Sequence, residues 1–519
     1  MFQLNPPNQP TKKLSNYPWF TLGMWGIFLL SLGLRFWNIN FFNALVFDEG
    51  YYATYGVNYL DKVPFFDAHP PLGKYAITAA IWIASHLPFN TGIPNGLTGM
   101  MLSPFSYRWL NAVVGSFLPL VVGGIAYQIS GRRLYAFLAA LFTALDGLLL
   151  VESRFALINI YLVFFGLLAQ LLLLIALNNR GFLSVFWLFL SGISFGSSIS
   201  VKWNGLGFLL GIFLTWLVAQ IAYRWKRKQE KLNRPIIEII NPNTGIKSFE
   251  LSSKIPLPLP LLQKRFIQLS WWKIVLFLGI VPAAVYYAVW QPHLEINTDT
   301  NFIDVHQKIF NFHKGLKSGK DIHPYCSRWY TWPLMWRPMV YLFEKALTLN
   351  EKVPEYPSLP EGVGKIYYDV HGMGNPALWV VSALAILLLS VILIHRIFIW
   401  YTYPESFNTN EQTFRFPTSA ELWLVCFIVF NYAANFLPWV IVTRCTFIYL
   451  YMPASVFAFM AIAWLVERWL RSHKIAYFTA GITVIFGIII AFIFWLPIYL
   501  GLPLSSAGFN LRMWLESWI

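Results

Sequence analysis

Charge is what this chain has least of. Asp, Glu, Lys and Arg make up only 12% of its 519 residues, while 57% are hydrophobic and mean hydropathy is positive. That balance excludes an ordinary soluble domain of this size. Acids are scarcer than bases, 23 against 38. In a membrane protein a basic excess sits in cytoplasmic loops and against anionic lipid, so the lipid bilayer is the implied partner and nucleic acid is not. Cysteine is rarer still. Cys326, Cys426 and Cys445 have no metal-ligand spacing and form no framework, so they are expected to be inert. No internal repeat is visible. No small-residue cleavage site follows the first apolar run, which is expected to be a retained helix preceded by Lys12 and Lys13.

What is abundant is apolar sequence. With about 20 residues per crossing, candidate spans lie near 19–38, 107–129, 134–152, 155–177, 182–200, 203–224, 273–292, 376–399, 419–440, 445–466 and 475–500. The fold class is therefore an all-α polytopic membrane protein with about eleven transmembrane helices. A cytoplasmic tail (1–18) leads into a membrane core (19–226), a cytoplasmic linker (227–272), a second stretch of core (273–500) and an outer tail (501–519). With the N-terminus inside, Arg132 and Arg133, the cluster Arg224 to Arg234, and Arg468, Arg471 and Lys474 all fall in cytoplasmic connections, as the positive-inside rule demands. The same parity places two large loops outside, 39–106 and 293–375. Tyr75 to Leu87 is too short to cross and is expected to lie in the membrane plane. The proline-rich segment 235–264 is expected to have little structure.

Residues 47–74, FDEGYYATYGVNYLDKVPFFDAHPPLGK, interrupt the apolar pattern just after the first span. Charge inside hydrocarbon is expensive, so ionisable groups near spans point to function. They gather on the outer side: Arg35, Arg108, Asp146, Glu152, Arg154, Lys202 and Arg444 at span ends, with Asp48, Glu49, Asp67, His69, Lys74, His323 and Arg328 from the loops. Each has a plainer explanation. Basic residues at helix ends snorkel to lipid phosphate, Asp48 with Glu49 suits a helix N-terminus, and Asn375 before Pro376 suits another. Arg154 and Lys202 fit snorkelling less well, because they sit in tight outer turns where topology disfavours positive charge. The segment HPYCSRWYTWPLMWRP (323–338) is stiff and amphipathic, suited to an outer gate, a sugar-stacking surface or an interfacial anchor.

Six motifs in order carry a resemblance: FDE with FFDAHPPLGKY, LDGLLLVESRFALINIYLVFF, SVKWNGL, HPYCSRWYTWPLMWRP, GNPALW and LPWVIVTRCTFIYLYMPA. Together they resemble the dolichyl-phosphate-mannose protein O-mannosyltransferases, particularly the shorter prokaryotic members. The resemblance implies a glycosyltransferase family C (GT-C) fold and an active site on the outer face. It implies a polyprenyl-phosphate-mannose donor and protein acceptors bearing Ser or Thr, with inversion at the sugar. It also implies that Asp48 is the base with Glu49 beside it, and that Arg35 and Arg108 are functional. Two departures stand out. Asn159 occupies a position where the family often has Asp, and the second outer loop, about 80 residues long, has no β-trefoil MIR domain, which favours a prokaryotic plasma membrane.

The chemistry asks for a base near the acceptor hydroxyl and positive charge near the leaving phosphate. Asp48 is the expected base, and Arg108, Arg35, Arg154 and Lys202, with His69, Lys74, His323, Arg328 and Arg444, are expected around the donor. No cofactor is expected. Asp48, Glu49 and Asp67 have the chemistry to hold one ion, but a cationic pocket makes a metal dispensable, and no metal site is assigned. Competing readings are a lipid-linked glycosyltransferase with a lipid or glycan acceptor, and a transporter or lipid flippase. The latter calls for paired repeats and midplane charges, whereas the ionisable residues concentrate at one face.

Overall fold

The computed structural model describes residues 18–87, 102–232, 236–240, 247–251, 259–317, 322–351, 353, 364–402 and 418–519. Lys12 and Lys13 lie outside the described residues, as do parts of both outer loops and most of the 400–418 connection.

The first span is α1 (Pro18–Phe36), and the outer segment after it folds into α2 (Glu49–Leu60) and α3 (Leu72–Ser85). At 1.5 Å per residue α3 reaches about 21 Å, short of a bilayer core of about 30 Å. A helical core follows: α4 (Pro104–Ser130), α5 (Arg133–Ala144), α6 (Gly147–Glu152), α7 (Asn159–Asn178), α8 (Gly181–Val201) and α9 (Leu206–Leu232). Beyond the linker come α10 (Leu261–Ile267), α11 (Trp271–Lys273), a π-helical stretch (Ile274–Ile280) and α12 (Val281–Ile296), the last three forming one span. The amphipathic α13 (Phe302–Gly315) precedes α14 (Pro376–Thr402), α15 (Ser419–Phe436), α16 (Met452–Leu470), α17 (Ile475–Leu500) and the short α18 (Ser506–Asn510).

Ten of the described helical segments are long and apolar enough to cross a membrane. The eleventh, expected at 134–152, is broken into α5 and α6. Asp146 is the cause. Its backbone is extended (φ −91°, ψ 128°), and one carboxylate oxygen caps α6 through Leu149 N at 2.9 Å. The other oxygen accepts from Trp379 Nε1 (2.7 Å) and Asn375 N (3.4 Å) at the start of α14. Gly147 is obligatory at this joint, since a Cβ there would lie 2.2 Å from Tyr499 Cε1 and 2.7 Å from the Met373 carbonyl.

Two further expectations need correction. The linker is not bare: β1 (Ile236–Ile240) pairs antiparallel with β2 (Lys247–Leu251), because a run of isoleucines favours an extended backbone. Nor are the cysteines all inert, because Cys326 and Cys445, 119 residues apart, form a disulfide. Only their approach in space reveals it. A three-stranded antiparallel sheet, β3 (Met339–Ala346), β4 (Ile366–Gly372) and β5 (Leu504–Ser505), lies beside the Asp146 joint and α17.

The core is centred on α16, whose spanning stretch is buried along its whole length, whereas α1 is mostly uncovered by protein. The far end of α16 meets α15 and the α4–α5 turn in a charge network. Arg132 pairs with Glu421 (2.9 Å) and Glu467 (3.3 Å), while Arg468 and Arg471 reach the same two acids. The candidate chemistry lies at the opposite end of these helices.

Candidate active site

Adjacent in sequence, Asp48 and Glu49 have different surroundings. Glu49 is completely buried, and both its oxygens are fully engaged. One accepts from Arg108 Nε (2.8 Å) and Ala156 N (2.7 Å), the other from Val46 N (2.8 Å) and Arg108 Nη2 (2.7 Å). The Arg108 guanidinium is equally committed. Its remaining hydrogens go to the carbonyls of Ile39 (2.9 Å), Phe42 (3.0 Å) and Ala44 (2.7 Å). All five donors of the guanidinium fork are thus used within the protein. The pair ties α2, α4 and the turn before α7 together, with the polar atoms of both side chains engaged inside the protein.

Asp48 sits one residue before α2 but does not cap it: its side chain accepts no hydrogen bond from the described residues. Half-buried, its carboxyl is pushed up to about 6 by burial, with Lys202 opposing the rise and Asp67 adding to it. The preceding residue, Phe47, holds a left-handed backbone (φ 52°), which for a bulky side chain costs roughly 1–3 kcal/mol and clusters at functional sites. Phe47 stacks on Tyr341 at 4.5 Å between ring centroids.

Across from Asp48 lies a polar chain that only the fold assembles. The Lys202 ammonium, at the C-cap of α8, donates to Asn159 Oδ1 at 2.7 Å and lies 5.3 Å from the Tyr449 ring centroid. Asn159 in turn donates to both oxygens of Glu152, at 3.2 and 3.3 Å. Glu152, completely buried, also accepts from the Tyr341 hydroxyl. A β-bulge between Val340 and Leu342 marks the place where Tyr341 leaves the β3 ladder, as bulges do when a side chain is re-aimed. With Asn at 159, one amide bridges an ammonium and a carboxylate; a carboxylate there would face Glu152. Burial pulls the Lys202 ammonium down, and Asp48, Glu152 and Asp67 hold it up.

Arg444 completes the positive side. It is half-buried, spends one nitrogen on the Cys445 carbonyl (3.2 Å), and lies near enough to Lys202, His69 and His313 for its charge to bear on each. His69 and His313 face each other at 5.7 Å between ring centroids, and His313 Nε2 contacts the Ala68 carbonyl at 3.0 Å. Burial and the cations Lys202, Lys74 and Arg444 hold His69 well below the usual histidine range. Lys74 is buried and spent on Asp67 and on the His69 carbonyl (2.7 Å), locking the 67–74 turn. With Glu49 saturated and Asp67 paired, these acids do not converge with Asp48 on an ion. Among the described residues no three His, Cys, Asp or Glu do so.

Arg35 and Arg154 lie deeper. Arg35 is fully buried and bonds Ser31 in its own helix (2.5 and 3.2 Å), and Arg154 donates to the carbonyls of Leu34 (2.7 Å) and Arg35 (3.2 Å). They pack behind the Glu49–Arg108 knot. Arg328 is exposed on the 322–338 segment, while His323 packs against Phe447 at 5.0 Å. Sequence reasoning noted Glu152 among the outer charges but gave it no role, and it missed Tyr341 and Tyr449. Tyr449 lies inside the quoted RCTFIYLY stretch, whereas nothing in the local pattern marks Tyr341. Beside Lys202, Trp203 and α13 line an apolar groove of about 530 Å³ with Phe302, Ile303, His306 and Phe310.

The comparisons agree with this architecture. Residues 25–297 match the family model described as dolichyl-phosphate-mannose-protein mannosyltransferase, and 299–518 match the C-terminal four-TMM region of protein-O-mannosyltransferase. The chain is similar to the polyprenol-phosphate-mannose–protein mannosyltransferase of Mycolicibacterium smegmatis, 24% identical over 91% of this chain and 87% of that one. The Mycobacterium tuberculosis protein of the same name is 22% identical over 96% and 92%. In structure it is similar to the Saccharomyces cerevisiae protein O-mannosyltransferase Pmt1-Pmt2 complex bound to the sugar donor. There the TM-score is 0.70 at 13% identity, covering 96% of this chain and 92% of that one, which bears out the GT-C fold. Matched almost end to end by its two models, the chain belongs to the dolichyl-phosphate-mannose–protein mannosyltransferase family.

Proposed function

We propose that this enzyme transfers mannose from a polyprenyl-phosphate-mannose donor to Ser or Thr hydroxyls of proteins at the outer face of the membrane. The observation that carries the reading is Asp48, an acid with no hydrogen-bond partner among the described residues, facing a site whose positive charge comes from Lys202 and Arg444. The acceptor hydroxyl attacks the anomeric carbon and loses its proton to Asp48 as the new C–O bond forms. The bond from that carbon to the phosphate oxygen breaks, and the polyprenyl phosphate leaves with the electron pair. Lys202 and Arg444 meet the charge that develops on the phosphate, with His69 as a neutral donor. Attack opposite the leaving group inverts the anomeric centre. The groove beside Trp203 suits the first isoprene units of the carrier.

Two features support a site facing away from the cytoplasm. The basic connections lie at the opposite end, and the Cys326–Cys445 disulfide lies on the Asp48 side, as befits an oxidising compartment. The test is purified protein with polyprenyl-phosphate-mannose and Ser- or Thr-bearing peptides, read by mass spectrometry. Mannosyl peptide is the expected product. Failure across a broad peptide panel, with transfer to a lipid or glycan instead, would reject the protein acceptor.

A further inference from the structure

Arg444 stands on a segment without helix or strand. Residues 442–447 link the 3-10 turn Leu437–Ile441, which follows α15, to the 3-10 turn Ile448–Tyr451 that opens α16. The segment is fastened to the second outer loop just beyond Arg444. Cys445 is bonded to Cys326, and Cys445 N donates to the Lys317 carbonyl at 3.1 Å. Ser327 N donates to the Thr446 carbonyl at 2.8 Å, and the Thr446 hydroxyl returns a bond to the Ser327 carbonyl. Ser327 is itself held by Trp332 Nε1 at 2.9 Å, and the Trp332 ring packs on Trp439 at 5.6 Å. On the far side, Phe447 contacts His323 and leads to Tyr449 beneath the Lys202 ammonium.

We propose that the Cys326–Cys445 disulfide is a positioning element for the donor phosphate, clamping the segment that carries Arg444 and Tyr449, so that full donor affinity requires the oxidised protein. The inference rests on the reading that Arg444 faces the phosphate. Reduction by a dithiol adds two electrons and two protons and leaves two thiols, neutral near pH 7 by their ordinary pKa. The formal charge of the site is therefore unchanged and only its geometry relaxes. Released from the bond, the segment is held to the outer loop by the Cys445–Lys317 and Ser327–Thr446 hydrogen bonds, with no covalent link to fix Arg444.

The experiment compares the oxidised protein, the same protein treated with dithiothreitol, and Cys326→Ser/Cys445→Ser. Polyprenyl-phosphate binding and donor kinetics are measured for each, well below the unfolding midpoint of the weakest form. Cys426 is buried within α15, so thiol labelling of the folded protein reports the state of the pair. The reduced protein and the double variant are expected to show a donor KM and polyprenyl-phosphate Kd raised about fivefold to tenfold, with kcat within about twofold. Adding Arg444→Gln to the double variant should raise KM by less than it does in the oxidised protein, because coupled residues are not additive. Unchanged affinity on verified reduction, a loss confined to kcat, or full additivity would overturn the proposal. An oxidised wild type that binds polyprenyl phosphate without transferring mannose would sink the assigned function and leave the binding comparison to decide this point. One that does neither would overturn both.

Discussion

Replacing Asp48 and replacing Glu49 should have opposite signatures. Asp48→Asn removes a proton acceptor that holds nothing together, so turnover is expected to fall by about 10²–10⁴-fold while the thermal midpoint stays put. Glu49→Gln leaves Arg108 charged and buried beside a neutral partner. It should cost roughly 3–5 kcal/mol of stability, read as a lowered midpoint in detergent. Retained turnover in the first variant, or an unmoved midpoint in the second, would reverse the roles. The Asp48 carboxyl also fixes a pH dependence. A base raised to about 6 is protonated and idle below that pH, so kcat/KM should rise as pH increases through about 6. Because Lys202 lowers Asp48 towards the ordinary carboxylate range, Lys202→Met should move that midpoint higher, and a downward move would remove Lys202 from the base's environment. The acidic pair and the HPPLGK turn were legible in the sequence, yet which acid is free was not. That choice depends on carbonyls 39–44 and the amide of Ala156, which reach Glu49 and Arg108 only after folding.

At the scale of elements, hydropathy located every described span except the one that is broken. The stretch from 134 to 152 reads as one crossing because leucines continue through it, while the break is set by partners on α14 and α17 that lie more than 200 residues away. Asp146→Ala removes the α6 cap and leaves Trp379 Nε1 without its acceptor, and Gly147→Ala drives a methyl into Tyr499. Both substitutions should lower the midpoint by several degrees and reduce turnover, since Glu152 stands at the end of α6. A Gly147→Ala protein with wild-type stability and activity would show that the joint relaxes at no cost. The β1–β2 hairpin escaped prediction because prolines and polar residues dominate its neighbourhood. The disulfide escaped because its cysteines are far apart in the chain.

Over the whole molecule, charge is partitioned to the two ends of a shared helical core. One end is a closed network in which Glu421 and Glu467 answer Arg132, Arg468 and Arg471. The other leaves Asp48, Lys202 and Arg444 incompletely answered. That asymmetry separates a closed structural end from the candidate reactive one, where the acidic pair and the HPPLGK turn of the sequence lie. The path from Asn159 through Glu152 to Tyr341 crosses α7, α6 and β3 and required the fold.

The burial of α16 along its whole spanning stretch also has a consequence for how the molecule is made. A helix with no lipid-facing side gains nothing from being more greasy: Ala454, Ala458, Ala461 and Ala463 are fully enclosed, where small residues let backbones approach. Ala458→Leu raises hydropathy and should favour insertion of the isolated segment, yet the finished protein should be less stable by about 1–3 kcal/mol, measurable by thermal unfolding after purification. For this segment, evolution has had to satisfy the neighbouring helices ahead of the bilayer. It is therefore expected to join the bundle late, once the surrounding walls are in place to receive it.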